Sequence, residues 1–118
     1  VSTYQLEVLI ENWVVDKAYN TLGVLSLKLN VVGSTGWPDR VFWIPGGRPL
    51  LIEFKRPGGV ASPKQALIHK QLRYRGYDVQ IHDNREEAFQ AVQAALDAAR
   101  LSAQGCQVPA GARSRCAL

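Results

Sequence analysis

The sequence predicts an α/β domain: a sheet of about four strands flanked by helices, in the order helix, three strands, helix, strand, helix. Two kinds of periodicity carry this reading. Three stretches place apolar residues at helical spacing and four shorter runs alternate as strands do, while Gly and Pro clusters punctuate the boundaries between them. The 118 residues, 47% of them hydrophobic, suit one domain with a modest core and leave no room for a second.

The elements follow in order. From Thr3 to Leu22, Leu6, Leu9, Ile10, Trp13, Val14 and Ala18 recur on one helical face, and Gly23 is a C-terminal stop. Val24 to Val32 alternates, with Leu25, Leu27, Leu29 and Val31 on the side expected to pack. Asp39 to Ile44 and Pro49 to Lys55 read as strands joined by the turn Pro45-Gly46-Gly47, so they are expected to form a hairpin. Ser62-Pro63 sets a capping hydroxyl before a proline at the first helical position, and the second helix runs through Gln65 to Tyr74 until Gly76. Tyr77 to His82 is a fourth strand, and Asn84 opens a third helix through Phe89, Val92, Leu96 and Ala99. The domain is expected to span 1–101. Residues 102–118 lack an apolar period and read as a flexible tail.

Charge and cysteine content narrow the classes of function. Fourteen Lys and Arg against ten Asp and Glu give a net charge of +4, a mild preference for polyanionic partners. The two cysteines, Cys106 and Cys116, support neither a disulfide framework nor a four-ligand zinc site. No apolar run approaches the roughly 20 residues needed to span a bilayer, and no signal-peptide pattern opens the chain. The expectation is a soluble, cytoplasmic protein without a membrane partner or a small-molecule cofactor.

The hairpin carries the chemistry. Alternation puts Leu51, Glu53 and Lys55 on one face of the third strand and Leu50, Ile52 and Phe54 on the other, so a carboxylate and an ammonium project side by side. Asp39 begins the neighbouring strand and meets Glu53 only if the register allows. Two converging carboxylates repel unless a divalent cation, a shared proton or basic groups stabilise them, and Mg²⁺ suits hard oxygen ligands. Taken singly, each residue also has an ordinary account. Asp39 caps a turn, and Glu53 and Lys55 form a surface ion pair.

In combination, Gly36-Trp37-Pro38-Asp39, Ile52-Glu53-Phe54-Lys55, Pro57-Gly58-Gly59 and Ser62-Pro63-Lys64-Gln65 resemble a virus-type replication-repair nuclease (VRR-NUC) module of the stand-alone phage and bacterial type. This is a branch of the PD-(D/E)XK nucleases. The resemblance covers roughly Leu6 to Val92 and implies a restriction-endonuclease-like core with a mixed sheet. It implies a Mg²⁺- or Mn²⁺-dependent deoxyribonuclease in which Asp39 and Glu53 ligate metal and the Phe54 carbonyl helps. Lys55 would orient water or stabilise charge on the phosphate, and Gln65 would line the site. The first helix offers Glu7 and Glu11 as the acidic residue of that family, four apart on one face. Glu7, three before Ile10, is preferred, acting on the metal directly or through water, and Glu11 is read as a solvated helix charge.

Trp37, Arg40, Arg56 and Lys64 are weaker candidates for nucleic-acid contacts, and His69 and His82 receive no role. The resemblance implies branched DNA such as four-way junctions as substrate, cut by a homodimer, with Trp13, Val14, Val15 and Leu22 as a candidate interface. The alternatives are a flap- or end-directed nuclease, a non-catalytic nucleic-acid-binding module on the same fold, and a protein-interaction subunit.

Overall fold

The computed structural model describes residues 2–105. Helix α1 (Thr3–Lys17) opens with a capping box in which Ser2 and Gln5 satisfy each other's backbone N–H groups, then continues as a π-helical turn over Ala18–Leu22. Gly23, with φ +70°, ends it in the left-handed region, as its glycine predicts. Strands β1 (Leu25–Lys28), β2 (Arg40–Trp43) and β3 (Leu50–Phe54) follow, then α2 (Pro63–Tyr74), β4 (Asp78–His82) and α3 (Arg85–Gly105). Asn84 caps α3 by accepting from the Glu87 N–H.

The four strands lie in the order β1-β2-β3-β4, antiparallel across the first two pairs and parallel between β3 and β4. The sheet is therefore mixed, as expected, because a helix carries the chain from β3 to β4 while a tight turn joins β2 to β3. Phe42, Leu50, Ile52 and Phe54 pack against Val14, Ala18, Val92 and Leu96, so α1 and α3 cover one face. On the other face a smaller cluster of Val41, Leu51 and Val79 meets Leu72 of α2. The edge-to-face pair of Trp13 and Phe89, with Lys17 and Arg85 over the Trp13 ring, ties α1 to α3.

Three expectations change. The first strand is four residues long rather than nine, and its leucine side is the open one: Leu25 is 58% and Leu27 53% exposed, while Val24 is buried on the opposite side. The cause is layer geometry, since α2 packs against β4 and does not reach across to β1. Trp13, Val14, Val15 and Leu22 belong to the main core or pack against it, so they are not a free interface, and Leu9 points outward. Helix α3 runs to Gly105, past the expected boundary at Ser102, because Leu101-Ser102-Ala103-Gln104 offers no breaker. The remainder of the expected tail, 106–118, with both cysteines, lies outside the described residues. Among the described residues no helix is long and apolar enough to cross a membrane.

Candidate active site

The hairpin register answers the question that the sequence leaves open. Arg40 pairs with Ile52, Val41 with Leu51 and Phe42 with Leu50, so the next position outward sets Asp39 opposite Glu53. The Phe54 N–H donates to Asp39 Oδ2 at 2.7 Å, and the Asp39 carbonyl accepts from Leu29 N at 2.9 Å, which pins Asp39 between β1 and β3. Gly36 lets the approach loop come this close. Its φ is +93°, and a Cβ there would lie 3.1 Å from the Lys64 carbonyl oxygen in the first turn of α2.

Helix α2 supplies the other wall through one doubly used side chain. Ser62 is the N-cap and accepts from Gln65 N, while Gln65 Oε1 accepts from Ser62 N at 2.9 Å. That capping box fixes the Gln65 rotamer. The same Oε1 also accepts from Lys55 Nζ at 2.9 Å, and Gln65 Nε2 donates to Glu53 Oε2 at 3.1 Å. Lys55 Nζ stands 3.6 Å from that oxygen. Asp39, Glu53, Lys55 and Gln65 thus converge: Glu53 lies in β3 and Gln65 in the capped helix α2, while Asp39 and Lys55 directly flank β2 and β3.

Electrostatics makes the carboxylate pair unlike an ordinary surface pair. Burial first, and the Asp39 charge second, push the Glu53 carboxyl up to about 8. Asp39 is also raised, by burial first and by Glu11 nearby, against the Phe54 N–H that favours its anion. Without a cation, both carboxyls are therefore pushed toward their protonated forms. Such a pair releases its proton at neutral pH when a cation replaces it.

The first helix buries Glu11 close enough to act on the Asp39 charge. Glu11 is only 4% exposed, and it accepts from Arg40 Nε at 2.6 Å and from Lys28 Nζ at 3.0 Å. It is therefore no solvated helix charge, contrary to expectation, and Arg40 is committed to it rather than presented to a phosphate. Glu7 sits one turn further out and is partly exposed. Face assignment alone does not separate two residues four apart; packing against β1 and β2 does. Glu11→Ala is expected to destabilise the fold by about 2–4 kcal/mol, since Arg40 would be left partly buried without a partner. Urea denaturation checks this, and a loss below about 0.5 kcal/mol would mean that solvent replaces the pair.

The remaining candidates lie around this centre. Lys64 and Arg56 are exposed next to the site, Lys64 in the first turn of α2 and Arg56 directly after Lys55. Trp37 is half-buried, donates Nε1–H to Ser34 Oγ at 3.0 Å, and lines a groove with Ile68, Gln71 and Arg75. His69, an isolated histidine with no role assigned from the sequence, is fully buried beside Glu53. The spacing Gln65, His69, Leu72 held the signal, because residues four and seven apart share a helix face.

The residues fit a hard divalent cation. Glu53 Oε1 is buried without a hydrogen-bond partner within the protein, a donor atom the fold leaves unsatisfied. Among the described residues no three His, Cys, Asp or Glu side chains gather into one metal-binding group. Two carboxylates with room for waters match Mg²⁺ or Mn²⁺ better than zinc, which asks for three or four protein ligands.

The VRR-NUC domain model matches residues 10–86, from the end of α1 through all four strands and α2 to the start of α3. The chain belongs to the VRR-NUC family. The match begins at Ile10 and so includes Glu11 and excludes Glu7. The chain is also 31% identical over 65 residues, 55% of its length and 70% of the relative's, to the protein named "Putative nuclease p44" of Acyrthosiphon pisum secondary endosymbiont phage 1. A solved structure described as a VRR_NUC domain superposes with TM-score 0.66 at 24% identity, covering 75% of this chain and 95% of its own. A second, a VRR_NUC domain protein, gives 0.60 at 16% identity, covering 82% and 89%. These two establish the shared fold. The chain is accordingly a VRR-NUC nuclease domain, and its hairpin is the part of that domain that gathers the charged residues.

Proposed function

We propose that this VRR-NUC domain is a Mg²⁺- or Mn²⁺-dependent DNA endonuclease, selective for branched DNA such as four-way junctions and acting as a homodimer. The observation that carries the reading is the convergence of Asp39, Glu53, Lys55 and Gln65 on one hairpin and one helix end. Asp39 and Glu53 would hold the cation, with the Phe54 carbonyl one peptide away from the N–H that orients Asp39 and with Glu11 behind it as the acidic residue of the first helix. When bound, the cation supplies Lewis acidity toward phosphate oxygens.

The chain's own groups do the rest. Lys55 keeps a positive charge where negative charge grows on the scissile phosphate, which stabilises the transition state more than the ground state. Gln65 bridges Lys55 and Glu53 by bonding both. Lys64 and Arg56 lie where flanking phosphates would pass, and Trp37 packs the loop that carries Asp39. The relative's name supports a nuclease, and the modest positive charge suits a nucleic-acid substrate.

The dimer would bury the open side of the sheet. Leu25, Leu27, Trp43 and Tyr77 are about half exposed there, around a groove of about 310 Å³. A contiguous apolar face of this kind suits a self-complementary contact. Leu27→Asp is expected to yield a monomer by light scattering, and an unchanged dimer mass would place the interface elsewhere.

The function is tested with labelled four-way junction, flap, single-stranded and linear duplex DNA, each with Mg²⁺, Mn²⁺ or EDTA. Wild-type cleavage that EDTA abolishes, and that Lys55→Ala lowers by about 10²–10³-fold, is the expected result. Paired symmetric cuts in the junction support the dimeric reading, and preference for flaps or ends replaces it with an end-directed nuclease. Binding without cleavage on every substrate would leave a non-catalytic module.

Gln65→Glu separates the two duties of that residue. Glutamate still completes the capping box, so helix content by circular dichroism should hold. A third carboxylate now faces Glu53, and Mn²⁺ affinity is expected to fall by about tenfold or more. Unchanged affinity would make the amide contact incidental.

A further inference from the structure

His69 lies on the inward face of α2, one turn after Gln65, and is fully buried. Its Nε2 stands 3.9 Å from Glu53 Oε1. Neither ring nitrogen nor that carboxylate oxygen has a hydrogen-bond partner within the protein, whereas Glu53 Oε2 is held by Gln65. Buried polar groups are nearly always paired, so unsatisfied atoms from two residues facing each other call for an explanation. A leucine would fill the same position on the helix without adding two unpaired ring nitrogens.

We propose that His69 is a positioning residue for Glu53, its neutral imidazole directing Nε2–H at Oε1 while Gln65 holds Oε2, so that the carboxylate plane is set to receive a divalent cation. The inference rests on the metal-dependent reading above. The present 3.9 Å is longer than a hydrogen bond, and a shift of about one ångström closes it. Each carboxylate oxygen keeps a lone pair for metal after accepting one such bond. Neutrality is the point of using histidine here. A lysine or arginine would neutralise Glu53 and compete with the cation, while a neutral donor orients it without competing.

The test uses the full chain with His69→Gln, His69→Leu and His69→Lys, measuring Mn²⁺ affinity by calorimetry on metal-free protein and stability by urea denaturation. A nitrogen-15 spectrum of histidine-labelled, metal-free wild type reports the tautomer. His69→Leu is expected to weaken Mn²⁺ binding by about tenfold or more while keeping its urea midpoint. His69→Gln, whose amide reproduces the Nε2–H donor, should recover most of the affinity, and His69→Lys should bind worst. The wild-type spectrum should show a neutral Nε2–H ring. Wild-type affinity in His69→Leu would overturn the proposal, as would a folded His69→Gln no better than leucine, or an Nδ1–H tautomer. Should the leucine variant fail to fold, the glutamine-to-lysine comparison and the spectrum decide. A wild type that neither binds Mn²⁺ nor cleaves DNA removes the metal-dependent reading itself, whereas normal wild-type behaviour with an indifferent His69 removes only this inference.

Discussion

Glu53→Gln is expected to abolish cleavage and, at the same time, to make the metal-free protein more stable above neutral pH. The two effects share one cause. Glu53 is 3% exposed, lies against Asp39, and is satisfied by Gln65 and Lys55 at Oε2 but by no protein donor at Oε1. Such a site is poor for an anion and good for an anion about to receive a cation. An isosteric amide removes the repulsion with Asp39 and the ligand charge together. Cleavage should fall on the order of 10³-fold or more, the several kcal/mol that a metal contributes to a transition state. Thermal denaturation in EDTA at pH 8 should show Glu53→Gln melting above wild type. A variant that is less stable and still cleaves would mean that Glu53 serves the fold and not the reaction.

The second large expected effect is an opposite pH trend for the metal-free and metal-loaded protein. Glu53 titrates near 8 in the folded chain against 4.5 as a free side chain, so between those values the folded protein keeps a proton that the unfolded chain has lost. Stability contributed this way is present at low pH and is lost as pH rises through about 8. His69 and His82 are lowered from 6.5 by burial and act in the other sense below that value, because only the unfolded chain then takes up their protons. The window from 6.5 to about 8 therefore reports the carboxylate pair. In EDTA the melting temperature should fall across it. With excess Mn²⁺, which must displace the Glu53 proton, affinity should rise up to tenfold per pH unit and the metal-induced shift should grow. Equal shifts at both ends of the window would separate the cation from Glu53.

The framework of the fold was legible in the chain because its signals are local. The helices beginning at Thr3, Pro63 and Arg85 and the hairpin of β2 and β3 come from periodicity, from caps at Ser62 and Asn84 and from turn residues. β1 is shorter than its alternation predicts, and its leucines are open where packing is expected, because alternation says that two faces differ but not which one a helix will cover. The same limit hid the burial of Glu11. Glu7 and Glu11 share a face, and only docking against Arg40 and Lys28 buries the second.

By itself, then, the sequence determined the element order, the VRR-NUC resemblance and the residue types gathered in the hairpin and the helix cap: Asp39, Glu53, Lys55 and Gln65. Tertiary structure alone decided that Asp39 falls opposite Glu53, that Glu11 is buried against Arg40 and Lys28, and that His69 is shut against Glu53 Oε1. The physical reason is that local propensity acts through neighbours a few residues apart, whereas strand register, burial and carboxyl protonation depend on groups brought together from distant parts of the chain.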